Sequence, residues 1–198
     1  MTPLRTLFRI AVLASAAWIV SGISAGSAMA ASCEYTQTST LFARWSDTNL
    51  YAPFQGSTFE SGASGWSWGG GANIVNGDGN TLLSAAGTHS VQIPGGGTAK
   101  SPWLCVNSYT PSMRFFVRRV SGTGDLRVRG LIASGGSQLT TVTTIADATA
   151  VWSPSDVVTF PPTFTATPTG VNVQIQLVAD AGTTFRIDDV ELDPYLRK

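Results

Sequence analysis

The sequence contains little charge and few of the residues that carry catalysis. Charged residues make up 12% of the chain, which has one histidine, His89, and two cysteines. No nucleophile motif accompanies His89, so a Ser–His–Asp triad is not expected. Phosphate loops, cysteine-rich zinc patterns and dinucleotide fingerprints do not occur. We therefore expect a protein that is not an enzyme; the catalytic alternative is a small hydrolase with two carboxylates roughly 5–10 Å apart.

Neither charge nor hydropathy indicates nucleic acid or a membrane as partner. Basic and acidic residues balance at twelve each, which gives no electrostatic reason to bind a polyanion. Residues 1–30 have Arg5 and Arg9 before an apolar stretch and Ala28–Ala30 as an A-x-A pattern, and so read as a cleaved signal peptide. No later stretch is long enough to span a bilayer. We expect residues 31–198 to form a single secreted, extracellular domain that is a monomer.

The two cysteines, Cys33 and Cys105, both follow the predicted cleavage site. Because an exported chain meets oxidising conditions, we expect them to form one disulfide. The bond would attach an N-terminal extension, residues 31–53, to a central strand. A ring of this length stabilises by about 4 kcal/mol in the loop-entropy treatment. A metal–thiolate pair is the alternative, but it lacks further Cys or nearby His ligands.

The pattern of apolar residues predicts an all-β domain. No stretch after residue 30 keeps helical periodicity for three turns, and short candidate strands recur between turns rich in Gly, Pro and Asn. The clearest is Val171–Val178, where apolar and polar residues alternate as on a strand with one buried side. The other predicted strands are Leu41–Trp45, Thr58–Glu60, Ser90–Ile93, Ala99–Val106, Met113–Val120, Asp125–Leu131 and Phe185–Asp193. Together they predict a two-sheet β-sandwich.

The last predicted strand contains two adjacent acids, Asp188 and Asp189, within an apolar run. Neighbouring residues on a strand point to opposite faces, so one of the two is expected to point inward. A buried carboxylate needs a charged partner, hydrogen bonds or a metal ion.

Met113–Val120 and Asp125–Leu131 are joined by a short Gly-containing turn, which predicts a β-hairpin. With that turn, Arg118 would lie opposite Arg127, and Arg129 would lie further along the same face. Such a face could contact an anion or a sugar, because Arg offers bidentate donors and stacks on flat groups. We favour the alternative, a solvated outer face. The opposite, core-facing side collects apolar residues: Met113, Phe115, Val117, Leu126 and Val128.

Two motifs together resemble a known family. Phe59-Glu60 with Gly65-Trp66 opens the predicted domain, and Ile187–Leu192 closes it. This pairing resembles the jelly-roll carbohydrate-binding modules of the galactose-binding-like superfold, with their FE…GW and [I/F]-D-[D/N]-V-x-L segments. The resemblance implies an all-β, two-sheet jelly-roll β-sandwich. It also implies a structural calcium ion held by Glu60 and Asp188, with Asp189 as the substitute if the strand faces the other way. The alternative is that these carboxylates accept hydrogen bonds without a metal.

The resemblance also implies a function. We expect a secreted, non-catalytic domain that binds carbohydrate or a cell-envelope polymer, with Trp68, Arg118, Arg127 and Arg129 as ligand contacts. Trp66 matches the core position of the family motif, whereas Trp68 lies next to a glycine-rich stretch and is expected at the surface. The extension over residues 31–53 departs from the family pattern. The alternative function is therefore an extracellular structural or protein-interaction domain without a sugar site.

Overall fold

A computed structural model describes residues 33, 35, 37–77, 79–83, 87–109, 112–133, 140–165 and 170–194. The predicted signal peptide, residues 1–30, lies outside the described residues. Within the described ranges, no helix has the length and hydropathy of a membrane span.

The described chain consists mainly of strands, which we number in chain order. They are β1 (Ala52–Pro53), β2 (Ser67–Gly69), β3 (Asn73–Asn76), β4 (His89–Ile93), β5 (Thr98–Lys100), β6 (Leu104–Val106), β7 (Ser112–Ser121), β8 (Leu126–Ile132), β9 (Thr140–Ile145), β10 (Ser153–Pro154), β11 (Val158–Thr159), β12 (Val171–Ala179) and β13 (Thr184–Asp193). A 3₁₀ turn covers Ala43–Trp45, and one helical turn, α1, covers Pro162–Thr165.

The strands form two antiparallel sheets that pack face to face. The first sheet has the order β10-β7-β13-β4-β3, with β1 paired to β13 and β11 paired to β7. The second sheet has the order β2-β5-β12-β8-β9, with β6 paired to β12. Their inner faces enclose one large apolar core that includes Phe115, Phe185 and Leu177, each with 0% exposure. The predicted two-sheet β-sandwich is confirmed.

Two strands confirm the sequence patterns and show how the acidic pair is accommodated. β12 alternates as predicted, with Val173, Ile175 and Leu177 in the core. In β13, a β-bulge lies between Asp188 and Glu191. The extra residue keeps the apolar residues on both sides of the acids in the core. Asp189 takes the left-handed conformation at this bulge, with φ +44.

The predicted Arg-rich hairpin is wrong. β7 pairs with β13, β10 and β11 in the first sheet, whereas β8 pairs with β12 and β9 in the second. The connection between β7 and β8 therefore crosses from one sheet to the other. It is fixed there by hydrogen bonds to the β12–β13 turn: the Gly124 N–H donates to Thr183 Oγ1, and the Asp125 N–H donates to Asp180 Oδ2. The apolar side of both strands was predicted correctly and lies in the core.

Three other strand predictions differ from the structure. Residues 41–45 form turns, including the 3₁₀ turn, and Thr58–Glu60 lies in a turn in which Phe59 has φ +58. The prediction over Ala99–Val106 corresponds to two strands, β5 and β6. Proline cannot donate a backbone hydrogen bond, and Pro102 lies in the interruption. Strand propensity alone did not separate these cases from continuous strands.

The N-terminal segment, residues 37–53, covers part of the outer face of the first sheet. Phe42 stacks on Phe116 of β7 with ring centroids 5.3 Å apart, and Tyr51 meets Phe42 edge-on at 4.8 Å. All three rings are fully buried. Arg114 Nη1 donates to Asp47 Oδ2 at 2.8 Å in a largely buried ion pair.

The predicted disulfide between Cys33 and Cys105 is confirmed and spans 72 residues. Tyr35 lies beside it, and its hydroxyl donates to the Cys105 carbonyl oxygen at 2.8 Å. Gly170, with φ +85, approaches so closely that a Cβ there would collide with both sulfur atoms. Glycine is the residue that permits this conformation and this contact.

Candidate functional site

The outer face of the second sheet carries a continuous row of polar side chains across its strands. In register, Lys100 of β5 lies beside Gln176 of β12, Gln176 beside Arg129 of β8, and Arg129 beside Thr141 of β9. Partners in register on neighbouring strands point to the same face. We call this surface the polar face; its other members are Thr98, Arg127 and Gln174. Except for Thr141, which is exposed, these residues are half-buried.

The polar face combines cationic donors with one unsatisfied acceptor. Gln176 lies between Lys100 and Arg129, and its side-chain Oε1 is buried without a hydrogen-bond partner among the described residues. At one end of the face, Arg127 Nη2 donates to Asp180 Oδ1 at 2.8 Å. Toward the other end, Gln174 Nε2 donates to the Ser101 carbonyl oxygen at 2.8 Å. A buried carbonyl oxygen without a donor is costly, so a rotation of Gln176 that brings this oxygen to a donating ligand or water at the surface would be favourable.

Of the four predicted ligand contacts, the structure brings two together. Arg127 and Arg129 are both on the polar face, two residues apart on β8. Lys100, Gln174 and Gln176 complete the surface but were not predicted as contacts. The alternation of Val171–Val178 assigned the two glutamines to the wet side, and that was the signal available for them.

Trp68 is at the surface, as predicted, with 36% of its area exposed. It is on strand β2 rather than in a loop, and its partner in register, Ala99, is a core residue. Its ring stacks on buried Trp66 at 6.0 Å, and Trp66 in turn stacks on Phe54 at 6.1 Å. Trp68 is thus the outer member of an aromatic stack at the edge of the sandwich and does not lie in the polar row.

Arg118 lies on the opposite side of the molecule, on the first sheet. Its partner in register is Arg186 of β13, and its guanidinium lies over the Trp152 ring, 5.6 Å from the centroid. A cation above an aromatic face is a stabilising arrangement. The structure therefore does not place Arg118 with Arg127 or Arg129.

The two predicted calcium ligands have different hydrogen-bond environments. Glu60 accepts hydrogen bonds from the Thr88 and His89 backbone N–H groups, both at 2.9 Å, and contacts Thr88 Oγ1 and His89 Nδ1. Burial alone would raise the pKa of Glu60, but these hydrogen bonds to the charged form outweigh it and hold the pKa below its usual range. Asp188 is buried and accepts hydrogen bonds from the Asn80 N–H at 2.6 Å and the Asp189 N–H at 2.8 Å.

The carboxylates of this region act on one another electrostatically. Burial, together with the charges of Asp189 and Glu60, raises the pKa of Asp188 to about 8. Burial and the charge of Glu60 raise the pKa of Asp189 to about 6. Burial also raises the pKa of Glu191 well above its usual range, and Glu191 Oε2 has no hydrogen-bond partner among the described residues. We call Glu60, Asp188, Asp189 and Glu191 the acidic cluster.

The acidic cluster fits a hard cation in chemistry but supplies few side-chain ligands. Its donors are all oxygen atoms, and a cation between Glu60 and Asp188 would relieve their mutual repulsion. The described residues contain no group of three or more His, Cys, Asp or Glu side chains placed to hold one metal ion. A calcium ion here would therefore take Glu60 and Asp188 together with backbone carbonyl oxygens.

A groove of about 270 Å³ lies between Tyr35 and residues 53–55 on one side and residues 102–104 on the other. Its lining is mostly aromatic and proline: Tyr35, Pro53, Phe54, Gln55, Pro102, Trp103 and Leu104. We call it the aromatic groove. It was not predicted from the sequence, because its two walls are more than 45 residues apart in the chain.

Comparison with known proteins gives structural likeness only. No family profile matches the chain, and no curated protein matches it. The fold is similar to the CBM22-1–GH10 modules of an endo-1,4-β-D-xylanase from Clostridium thermocellum, solved with xylohexaose, at 19% identity and TM-score 0.49. That match covers 65% of this chain and 26% of that longer one.

Two further solved structures are single modules. A xylan-binding domain from family 22 of the carbohydrate-binding modules is 16% identical, with TM-score 0.47, over 71% of this chain and 95% of that one. A family 61 module in complex with β-1,4-galactotriose is 13% identical, with TM-score 0.44, over 73% and 97% of the two chains. The solved structures that resemble this chain thus include carbohydrate-binding modules, the class of protein that the two sequence motifs resemble.

Proposed function

We propose that this protein is a secreted, non-catalytic domain that binds carbohydrate on its polar face. The observation that carries the proposal is the buried, unsatisfied Oε1 of Gln176 between the cationic side chains of Lys100 and Arg129. A sugar hydroxyl both donates and accepts hydrogen bonds. With the Gln176 side chain rotated toward solvent, one hydroxyl can donate to its amide oxygen while accepting from the neighbouring Lys100 or Arg129, and so satisfies both kinds of group.

The arrangement of the face supports a flat, extended ligand rather than a small enclosed one. The polar row runs from β5 through β12 and β8 to β9, and most of its side chains are half-buried and therefore restricted in conformation. Ordered side chains lose less entropy on binding. Arg127 and Arg129 would act as hydrogen-bond donors, whereas Trp68, which stacks on Trp66 on the core-facing side of the sheet edge, would contact only a ligand that reaches around that edge. Arg118, on the other sheet, would need a separate ligand surface.

The test is binding of soluble and insoluble polysaccharides, measured by affinity electrophoresis and pull-down with the disulfide intact. We expect retention on at least one neutral polysaccharide, and a loss of about tenfold in affinity for Gln176→Ala and for Arg129→Ala, because each removes polar contacts at the centre of the face. Tyr109→Ala, at an exposed residue outside the polar face, is the matched control and should bind like the wild type. Absence of retention on every polysaccharide would instead favour the structural or protein-interaction alternative.

We also propose a structural calcium ion at the acidic cluster, with Glu60 and Asp188 as side-chain ligands. When bound, the ion would neutralise the repulsion among these carboxylates and join the turn at Glu60 to the last strand. A ligand that binds only the folded state raises the melting temperature. We expect added calcium to raise the melting temperature of chelator-treated protein, and Asp188→Asn to abolish that response. An unchanged melting temperature on adding calcium would contradict the metal and leave the carbohydrate proposal intact.

A further inference from the structure

We propose that the aromatic groove is a second binding site, which takes a single pyranose ring by stacking. This inference rests on the proposed carbohydrate function for its choice of ligand but concerns a different surface. Tyr35, Phe54 and Trp103 line the groove. The face of an aromatic ring is electron-rich and attracts the polarised C–H groups of a sugar ring laid flat against it.

Two of the three aromatic walls of the groove, Tyr35 and Phe54, are held in place by independent contacts. The Tyr35 hydroxyl is fixed on the Cys105 carbonyl, next to the disulfide. Phe54 is stacked on Trp66, with 23° between the ring planes. Trp103 lies between Pro102 and the buried residue Leu104 at the start of β6. A stacking platform that is ordered before the ligand arrives costs little to bind.

The size and the polarity of the groove favour one sugar ring over a larger ligand. Its volume of about 270 Å³ is slightly below the range of about 300–1,000 Å³ that is typical of sites for drug-sized molecules. Gln55 is one of the lining residues; its Nε2 donates to Ser64 Oγ at 2.7 Å, and its amide adds a polar group beside the aromatic rings. A pyranose matches this combination, because it presents flat C–H faces and a polar edge.

The aromatic groove adjoins one end of the polar face. Gln174 of the polar face donates to the carbonyl of Ser101, which directly precedes the lining residues Pro102 and Trp103. The two surfaces are therefore joined through one hydrogen bond. A chain of several sugars could therefore occupy the polar face and the groove at once, whereas a short one would occupy only one of them.

The experiment uses the full secreted protein with its disulfide intact and two kinds of probe. Methyl β-D-glucopyranoside and methyl β-D-xylopyranoside, followed by saturation-transfer NMR, report on the groove alone. Cellohexaose and xylohexaose, compared with their trisaccharides by calorimetry, report on the groove together with the polar face. We expect Trp103→Ala to remove the saturation transfer to the methyl glycosides. It should also weaken hexasaccharide binding about tenfold and trisaccharide binding less, because only the longer chain occupies both surfaces at once.

Two further substitutions separate the stacking role from a role in folding. Trp103→Phe keeps a flat ring and should preserve methyl glycoside binding, whereas Trp103→Leu keeps apolar volume without a flat face and should lose it. Saturation transfer that is equal in the wild type, Trp103→Ala and Trp103→Leu would overturn the proposal. So would hexasaccharide binding that Arg129→Ala weakens and Trp103→Ala does not, and that result would leave the polar-face function standing. Methyl glycoside binding that depends on Trp103, in a protein that retains no polysaccharide, would support the groove and contradict the polar face.

Discussion

The outer faces of the two sheets differ although both belong to the same sandwich. The outer face of the first sheet is partly covered by the N-terminal segment, which buries Phe42 and Tyr51 against Phe116 and pairs Asp47 with Arg114. That of the second sheet carries the polar row centred on Gln176. One face has become a second, smaller core, and the other has kept half-buried polar side chains.

This difference separates stability from recognition. Aromatic burial stabilises the fold, and a buried ion pair makes the fold sensitive to the loss of either partner; the covered face concentrates both features. Half-buried polar groups contribute little to stability, but they provide the hydrogen-bonding pattern that a ligand reads. We therefore expect substitutions on the covered face to change stability and those on the polar face to change binding.

The largest effect is expected at the small aromatic core. Phe116→Ala removes a fully buried ring that stacks on Phe42, and should lower the free energy of unfolding by about 3–5 kcal/mol. Urea denaturation followed by circular dichroism measures this change. Gln176→Ala on the polar face is the matched control, with an expected change of less than about 0.5 kcal/mol. Equal losses for the two variants would contradict the separation of roles.

A slightly smaller loss is expected from breaking the ion pair beneath the N-terminal segment. Arg114→Met removes the bond to Asp47 and the bond from Nε to the Ser155 carbonyl. It leaves the Asp47 carboxylate without its cation in a largely buried position, which should cost about 3 kcal/mol. Adding Asp47→Asn should recover part of the loss, because the uncompensated charge is then gone. A double-mutant cycle by urea denaturation tests this, and strictly additive losses would refute the pairing.

The pH dependence of stability should also come from the first sheet. The pKa of Asp188 is about 8 in the folded state against an ordinary value of 3.8. Between these values the folded protein holds a proton that the unfolded chain has released, so stability falls as pH rises. We expect the melting temperature of metal-free protein to decrease by several degrees from pH 5 to pH 8, and Asp188→Asn to flatten this slope. With calcium the dependence should be weaker, because the metal binds the deprotonated carboxylates. A rise in melting temperature over this window without metal would contradict the assignment.

The smallest effect is expected at the end of the polar face. Arg127 forms an ion pair with Asp180, but 43% of its side chain is exposed. Solvent screening makes such a pair weak, so Arg127→Ala should change the free energy of unfolding by less than about 1 kcal/mol. Polysaccharide binding by the same variant should weaken measurably. A variant that loses stability and keeps full binding would reverse the expected roles.

Much of the architecture could be predicted from apolar spacing, whereas chain crossings could not. The alternation along β12 assigned both of its faces correctly, since a period of two reports burial directly. In β13 the apolar residues Ile187 and Val190 are three positions apart instead of two, with the two aspartates between them. This irregular spacing marks the bulge. The loop after Ser121 has the composition of a hairpin turn, and no local signal shows that it crosses to the other sheet. The hairpin prediction failed for that reason.

The candidate site was only partly predicted, because residue spacing shows which side chains share a face of one strand but not which strands are neighbours. The sequence selected Arg127 and Arg129, because two arginines two residues apart share a strand face. It also added Arg118, which only the mistaken hairpin brought near them. The role of the N-terminal segment was missed, because the spacing of Phe42 and Tyr51 follows no strand or helix period and its burial depends on distant Phe116.

The position of the Cys33–Cys105 bond bears on how this protein should be produced. Cys33 lies two residues before Tyr35, and the Tyr35 hydroxyl donates to the carbonyl oxygen of Cys105 in β6. A host cytoplasm that keeps thiols reduced would yield a chain whose first residues can detach from the sandwich. Such material would have a lower melting temperature and would lack the Tyr35 wall of the aromatic groove, even though the polar face would be intact. Export to an oxidising compartment during expression is thus a condition for measuring sugar affinity on the complete molecule.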